Sequence, residues 1–306
     1  MNAEVAQRAA DRAITLPDRR TILLREYGAS GGFPVLALHG TPASRLMYAV
    51  AGSRAAAFGL RIIAPDRWGY GGTSLHPRPS LPAFADDIAA VADRLGLARF
   101  AVLGVSGGGP YAVGLAARLV DRVAALALVA PVGPIASVAG GVHLTPFHRF
   151  CFTLLPRAPR LLGLVFDAFR RGVATSPDTA IRISMTRSPA ADHRVMGSEG
   201  VRDRFIAMFR EGLRPGIAGA VTDMQIFGKP WAVPIERIAA PSALWIGTED
   251  NNVPIPAALN LAAAIPGCKV IELPGEGHLW VALNYEEVLA WIFQNSKGAA
   301  SATPIV

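Results

Sequence analysis

Short unbroken apolar runs constrain this chain more than any other feature: PVLAL (34–38), RIIA (61–64), FAVLG (100–104), VAALALVA (123–130), ALWIG (243–247) and KVIEL (269–273). Runs that are apolar on both faces belong to strands of a parallel sheet covered by helices on both sides. Helical spacing lies between several of them. Phe84, Ile88, Val91 and Leu95 follow Pro82 at that spacing, and Tyr111, Leu115 and Leu119 follow Pro110. A closing helix is expected from Tyr285 to Gln294. Strand and helix in alternation predict a doubly wound α/β fold with a mostly parallel central sheet. Ahead of it, RAITL and TILLREY flank the turn Pro17-Asp18-Arg19-Arg20, which reads as an antiparallel hairpin.

The alternation breaks between about Gly133 and Thr222, where RLLGLVFDAFRR and VRDRFIAMFREG have helical patterns and no strand is clear. The expected organisation is one discontinuous core, residues 1–132 and 223–296, interrupted by a helical lid at 133–222 and followed by a frayed tail at 297–306. A length of 306 residues is enough for a large core.

With 51 % apolar and 17 % charged residues, the composition is that of a globular protein rather than a disordered one. The first residues, MNAEVAQRAADRAITL, lack the apolar stretch of a secretory signal. Val123 to Val142 carries no charge and has the length of about 20 residues that spans a bilayer. Pro131, Gly133, Pro134, Gly140 and Gly141 interrupt it, so a buried strand running into a loop is expected, and no membrane span. Cys151 and Cys268 make neither a disulfide framework nor a metal-ligand cluster, which points to a reducing cytoplasm and to no metal or other cofactor. The formal charge of +7 comes almost wholly from arginine, with lysine only at 229, 269 and 297. No nucleic-acid-binding module accompanies it, so no nucleic-acid partner is expected. Between Arg149 and Arg214 there are twelve arginines and six acids. Those arginines either face solvent or, if they line a cleft, favour anionic ligands.

Gly104-Val105-Ser106-Gly107-Gly108 fits G-x-S-x-G and lies between the strand FAVLG and a helix opening at Gly109-Pro110. A nucleophile on so sharp a turn needs glycine two positions to either side, where a side chain would strike neighbouring backbone. The following helix aims the positive end of its dipole at the serine. A phosphate-binding turn is the alternative, but GVSGGGP lacks the P-loop lysine. A serine hydroxyl needs a base held by a third group. Asp250 follows ALWIG in GTEDNNVP, and His278 follows KVIEL in PGEGHLW. Both therefore fall past the C-terminal ends of strands, where ligands bind in open α/β sheets. Glu249 is the alternative acid.

His39-Gly40-Thr41-Pro42 follows PVLAL, where the loop of an oxyanion hole is expected; the backbone N–H groups of Thr41 and Gly107 are the candidates. His39 reads as a loop-holding residue rather than a second base. Pro65-Asp66-Arg67-Trp68-Gly69-Tyr70-Gly71-Gly72 reads as a shaped loop near the pocket, and Asp66 has no metal-ligating partner at suitable spacing. Met47, Tyr48, Trp68, Tyr111, Leu279 and Trp280 are candidate pocket residues.

HGTP, PDRWGYGG, GVSGGG, GTEDNNVP and GEGH, in this order, resemble the α/β-hydrolase superfamily, and within it the lid-bearing branch of esterases, lactonases, proline iminopeptidase-like enzymes, epoxide hydrolases and dehalogenases. The resemblance covers about Ala13 to Gln294. It implies an enzyme of the α/β-hydrolase fold working by acyl transfer: Ser106 attacks a carbonyl, His278 shuttles the proton, Asp250 orients His278, and water releases the acid. Dehalogenases and epoxide hydrolases of this family carry aspartate where Ser106 stands, and dienelactone hydrolases carry cysteine. Proline iminopeptidases usually have Trp after the serine and H-G-G-P in the oxyanion loop, where this chain has Gly107 and H-G-T-P. A carboxylic ester or lactone of a small molecule is thus the leading substrate class. Carbon–carbon bond hydrolysis or perhydrolysis on the same triad, a peptidase, and a ligand receptor with vestigial activity are the alternatives. The sequence leaves a homodimer open.

Overall fold

The computed structural model describes residues 10–136 and 144–296. The tail expected at 297–306 lies outside the described residues, as do residues 1–9 and part of the stretch at 133–222. The chain opens with a hairpin of β1 (Asp11–Thr15) and β2 (Thr21–Gly28), followed by β3 (Phe33–Leu38), α1 (Gly52–Ala57) and β4 (Leu60–Pro65). Next come α2 (Leu81–Arg94), β5 (Phe100–Val105), α3 (Gly109–Arg118) and β6 (Val123–Val129). Helices then take over: α4 (Pro146–Arg149), α5 (Pro159–Thr175), α6 (Pro177–Ser184), α7 (Ala190–Gly197), α8 (Val201–Gly212) and α9 (Ala218–Phe227). Strand β7 (Ser242–Gly247), α10 (Ile255–Ala264), β8 (Lys269–Leu273) and α11 (Val281–Ser296) complete the chain.

All eight strands form one sheet, in the order β1-β2-β4-β3-β5-β6-β7-β8. The β1–β2 and β2–β4 pairs are antiparallel, and every pair from β4 through β3 to β8 is parallel. Each of the apolar runs is therefore a strand, and the RAITL–TILLREY hairpin is the antiparallel edge. Strands β5 and β6 lie in the middle and are buried along their whole length. Burying one such Val or Leu side chain contributes roughly 1.5–3 kcal/mol, so these strands anchor the sheet. At the far edge, β8 keeps Lys269 and Glu272 exposed, which guards an unpaired edge against other strands.

Helix α2 starts at Ser80, whose hydroxyl accepts the Ala83 N–H, and turns Phe84, Ile88 and Val91 inward. It packs beside α3, while α11 packs beside α1, and α3 and α11 both cover the central strands β5 and β6. Helix α11 begins four residues before Tyr285, because Val281 and Ala282 form a first turn that kinks at Asn284. Helices α4–α9 are inserted between β6 and β7. They continue to Phe227, past the expected end at 222, because α9 is one unbroken helix with Ala220, Ile226 and Phe227 buried. No helix among the described residues is long and apolar enough to cross a membrane: Val123 to Val129 is a sheet strand.

Candidate active site

Strand β5 delivers Ser106 to the C-terminal edge of the sheet. Ser106 has φ +53°, a left-handed conformation that L residues adopt at a cost, here imposed by the immediate reversal into a 3₁₀ turn (Ser106–Gly108) and α3. A Cβ on Gly108 would stand 2.1 Å from the Leu38 carbonyl oxygen, and one on Gly104 would stand 2.6 Å from the Ala112 Cβ. The glycines of the motif are thus demanded by the closeness of β3 and α3. His278 comes from the loop between β8 and α11, and its Nε2 is 2.9 Å from Ser106 Oγ. On the other side of the ring, Nδ1 is 2.8 Å from Asp250 Oδ2. Asp250 is only 3 % exposed, and its Oδ1 accepts the N–H groups of Asn252 and Val253 at 2.8 and 3.1 Å. Its carboxylate is therefore fixed from behind. The neighbouring Glu249 is exposed. Burial alone would push the His278 imidazole below its ordinary pKa. The charge and hydrogen bond of Asp250, with the charge of Asp192, outweigh burial, and the net shift is upward.

Thr41 and Gly107 stand together beside Ser106: a Cβ on Gly107 would lie 2.2 Å from Thr41 Oγ1. As part of the first turn after β5, the Gly107 N–H has no partner within its helix. The Thr41 hydroxyl donates to Asp223 Oδ2 at 2.6 Å and accepts from Arg67 Nη2 at 2.7 Å. Asp223 also takes the hydroxyls of Tyr70 and Tyr111, at 2.7 and 2.6 Å, and pairs with the Arg67 guanidinium. The Arg67 and Asp223 side chains are 0 % and 2 % exposed. A pair so deep holds because both nitrogens at the tip of the guanidinium and both carboxylate oxygens are bonded, since an isolated buried charge is costly; Arg67 Nε alone is buried without a partner. His39 belongs to the same cluster. Its Nε2 accepts the Arg67 N–H at 3.0 Å and its Nδ1 lies 2.9 Å from the Gly40 carbonyl. Burial, reinforced by the Arg67 charge, holds its pKa well below the ordinary value, and both ring nitrogens face partners in this loop and the next.

Ser106 Oγ and His278 open onto a cavity of about 450 Å³. Gly40–Ala43, Met47 and Val253 form its floor, and residues from the inserted helices, among them Phe166, Met185, Phe205 and Phe227, form its roof. A model of the alpha/beta hydrolase fold family matches residues 34–284. The chain belongs to the α/β hydrolase fold family. It is similar to the 2-hydroxymuconate semialdehyde hydrolase of Pseudomonas putida, at 29 % identity over 311 aligned residues and 99 % of each chain. Among solved structures it is similar to an alpha/beta hydrolase fold protein from Nakamurella multipartita, with 26 % identity, TM-score 0.67 and coverage of 95 % of this chain and 100 % of that one. The fold is shared with a thermophilic esterase from Thermogutta terrifontis, at 21 % identity, TM-score 0.68 and coverage of 95 % and 99 %. It is shared as well with epoxide hydrolase A from Mycobacterium thermoresistibile, at 20 % identity, TM-score 0.71 and coverage of 95 % and 98 %.

In this α/β hydrolase, Met47 and Leu279 line the cavity, but Tyr48, Trp68, Tyr111 and Trp280 do not, which corrects the expectation for those four. Each of them is packed in the main core. Tyr48 donates to the Leu38 carbonyl at 2.8 Å, and Trp68 Nε1 donates to Asp87 at 2.9 Å. Tyr111 is drawn to Asp223 with Arg67 against its ring face, and Trp280 is 7 % exposed within the main core. Asp66 is occupied by Arg45, which reaches it through its backbone N–H at 2.7 Å and its Nη1 at 2.6 Å. No cluster able to hold a metal ion occurs among the described residues. Of the twelve arginines between 149 and 214, only Arg204 lines the cavity; Arg170, Arg171, Arg202 and Arg214 pair with acids. The sequence reading missed Asp223 and Asp192, both buried acids of the inserted helices. Asp223 left one signal, a lone acid in the otherwise uncharged AGAVTDMQIF.

Proposed function

We propose that this α/β hydrolase is a serine hydrolase that cleaves a carboxylic ester or lactone of a small molecule through an acyl-enzyme intermediate. The observation that carries this reading is the hydrogen-bonded chain Asp250–His278–Ser106 ending in an apolar cavity. His278 Nε2 takes the Ser106 proton as Oγ attacks the carbonyl carbon. The backbone N–H groups of Thr41 and Gly107 receive the developing oxyanion, and the imidazolium, stabilised by Asp250, passes its proton to the leaving alcohol. Water then attacks the acyl-enzyme with His278 as base, and the acid departs. The inserted helices act as the lid. They supply the apolar roof, which suits an ester with an apolar acyl or alcohol part, and they exclude water from the reacting carbonyl. Arg204 at the mouth suits a substrate whose other end carries an anion.

Carbon–carbon bond hydrolysis is the second reading, favoured by the relative whose substrate is 2-hydroxymuconate semialdehyde. There the same serine and histidine act on a ketone carbonyl instead of an ester. A series of p-nitrophenyl esters of rising acyl length, run beside a vinylogous 1,5-diketone, tests the two. A higher kcat/KM on the esters, rising with acyl length until the cavity is filled, is expected. Turnover of the diketone alone would transfer the chain to the second reading, and turnover of neither would point to a receptor.

A further inference from the structure

The loop that carries His278 is held from the inserted helices as well as from the sheet. Asp192, in the first turn of α7, is 1 % exposed and lies 86 residues away in sequence. Its Oδ2 accepts the backbone N–H of His278 at 3.2 Å, and its Oδ1 accepts that of Leu279 at 2.8 Å. Donors to a carboxylate make stronger hydrogen bonds than donors to a neutral oxygen, and buried N–H groups without an acceptor are costly. The approach is close. A Cβ at Gly277 would stand 2.3 Å from Asp192 Oδ1 and 2.8 Å from Pro189 Cγ, so only glycine lets the loop and α7 meet. Apolar packing strengthens the same junction: Leu279 and Ala282 pack against the cluster of Ile181, Met185, Val195, Met196 and Val201 inside the insertion.

We propose that Asp192 is a positioning residue that ties α7 to the loop of the base, so that docking of the inserted helices sets His278 in register with Ser106 and Asp250. The proposal rests on the reading of Ser106, His278 and Asp250 as the reacting triad. Asp192 touches neither Ser106 nor the imidazole nitrogens; it acts through the backbone of His278. It acts also through its charge. The charged groups that bear on the imidazole are Asp250 and Asp192, and both raise its affinity for a proton. Asp192 is itself shifted upward, first by burial and also by the Asp250 charge, against its two backbone hydrogen bonds and the His278 charge.

Asp192→Asn is the test. It keeps the size of the side chain but turns an amide N–H₂ toward one of the two backbone donors and removes the charge. The expected kcat falls by about 10- to 100-fold, the scale of a small misplacement of a reacting group, with KM nearly unchanged. Labelling of Ser106 by a fluorophosphonate slows in parallel. The acid limb of the kcat/KM profile moves to lower pH, because a negative charge near His278 is gone; a purely structural role would lower activity without moving that limb. Gly277→Ala keeps the charge but pushes the carboxylate away, and its kcat falls while the limb moves less. Asp192→Asn with kcat within twofold of wild type, or with an unmoved acid limb, would overturn the proposal. If Asp192→Asn does not fold, wild-type kcat in Gly277→Ala overturns it. Ser106→Ala, run in the same assays, separates the two layers: full activity there refutes the triad reading, whereas an inactive Ser106→Ala beside a wild-type-like Asp192→Asn refutes only the role of Asp192.

Discussion

Every residue of β5 and β6 is buried, whereas Leu161, Leu164 and Val165 on α5 stay 48 %, 68 % and 49 % exposed. Between the sheet and the inserted helices the division of labour follows that difference in packing. The sheet carries the groups whose placement tolerates little error: Ser106 on its strained turn, Asp250 pinned by two backbone amides, and Thr41 against Gly107. The insertion contributes the adaptable apolar roof, with methionines at 185, 196, 208 and 224 facing the cavity. Yet the insertion also provides two buried carboxylates, and both reach into the sheet's loops. Asp223 anchors the loop of Thr41 directly and through Arg67, and Asp192 anchors the loop of His278. An apolar roof is thereby fastened to the sheet at the two loops that flank the serine.

The comparison breaks first if the rigid side proves dispensable. Asp250→Asn is expected to lower kcat by about 10⁴-fold, because the wrong imidazole tautomer is then favoured, while Glu249→Gln leaves kcat within about twofold. Steady-state kinetics on one ester decides this, and a worse Glu249→Gln would reassign the acid. Asp223→Ala tests the fastening. It strands the Arg67 guanidinium in the core, so the expected loss of stability is about 3–5 kcal/mol by thermal or urea unfolding. A loss below about 1 kcal/mol would show that the pair does not join the two regions. The smallest effect concerns the roof. Arg204→Gln should lower kcat/KM for an ester bearing a remote carboxylate by a few-fold, and abolish the decline of that value between about 0.1 and 1 M salt, where screening shortens from about 10 to about 3 Å. A matched neutral ester should respond to neither change; equal responses of the two esters would leave Arg204 without a part in substrate choice.

The same division explains what could be read from the sequence. Strands buried on both faces appear as apolar runs, and the turn at Ser106 announces itself through glycines that close contacts require, so the sheet, its hairpin and the positions of Ser106, Asp250 and His278 were legible. Helical insertions have no such punctuation. The helical stretch, expected to close at about 222, continues in α9 to Phe227, with no break residue inside that helix. Aromatic residues next to the motifs misled for a related reason. Trp68 and Tyr111 stand beside chemistry-bearing residues in sequence, but buried partners, Asp87 and Asp223, turn them into the core. Asp192 carries no local mark of its burial, since its partners are backbone amides of a loop 86 residues on.

The most direct measurement of the central claim, that His278 and Asp250 activate Ser106, is the pH dependence of fluorophosphonate labelling, with the modified residue located by peptide mass spectrometry. His278 must be neutral to accept the Ser106 proton, and its pKa is shifted upward. The labelling rate is therefore expected to rise with pH through a single ionisation whose midpoint lies above the ordinary imidazole value of about 6.5, with the label on Ser106 and absent from Ser106→Ala. A label on another residue, or a rate on Ser106 that does not change across that ionisation, would contradict it.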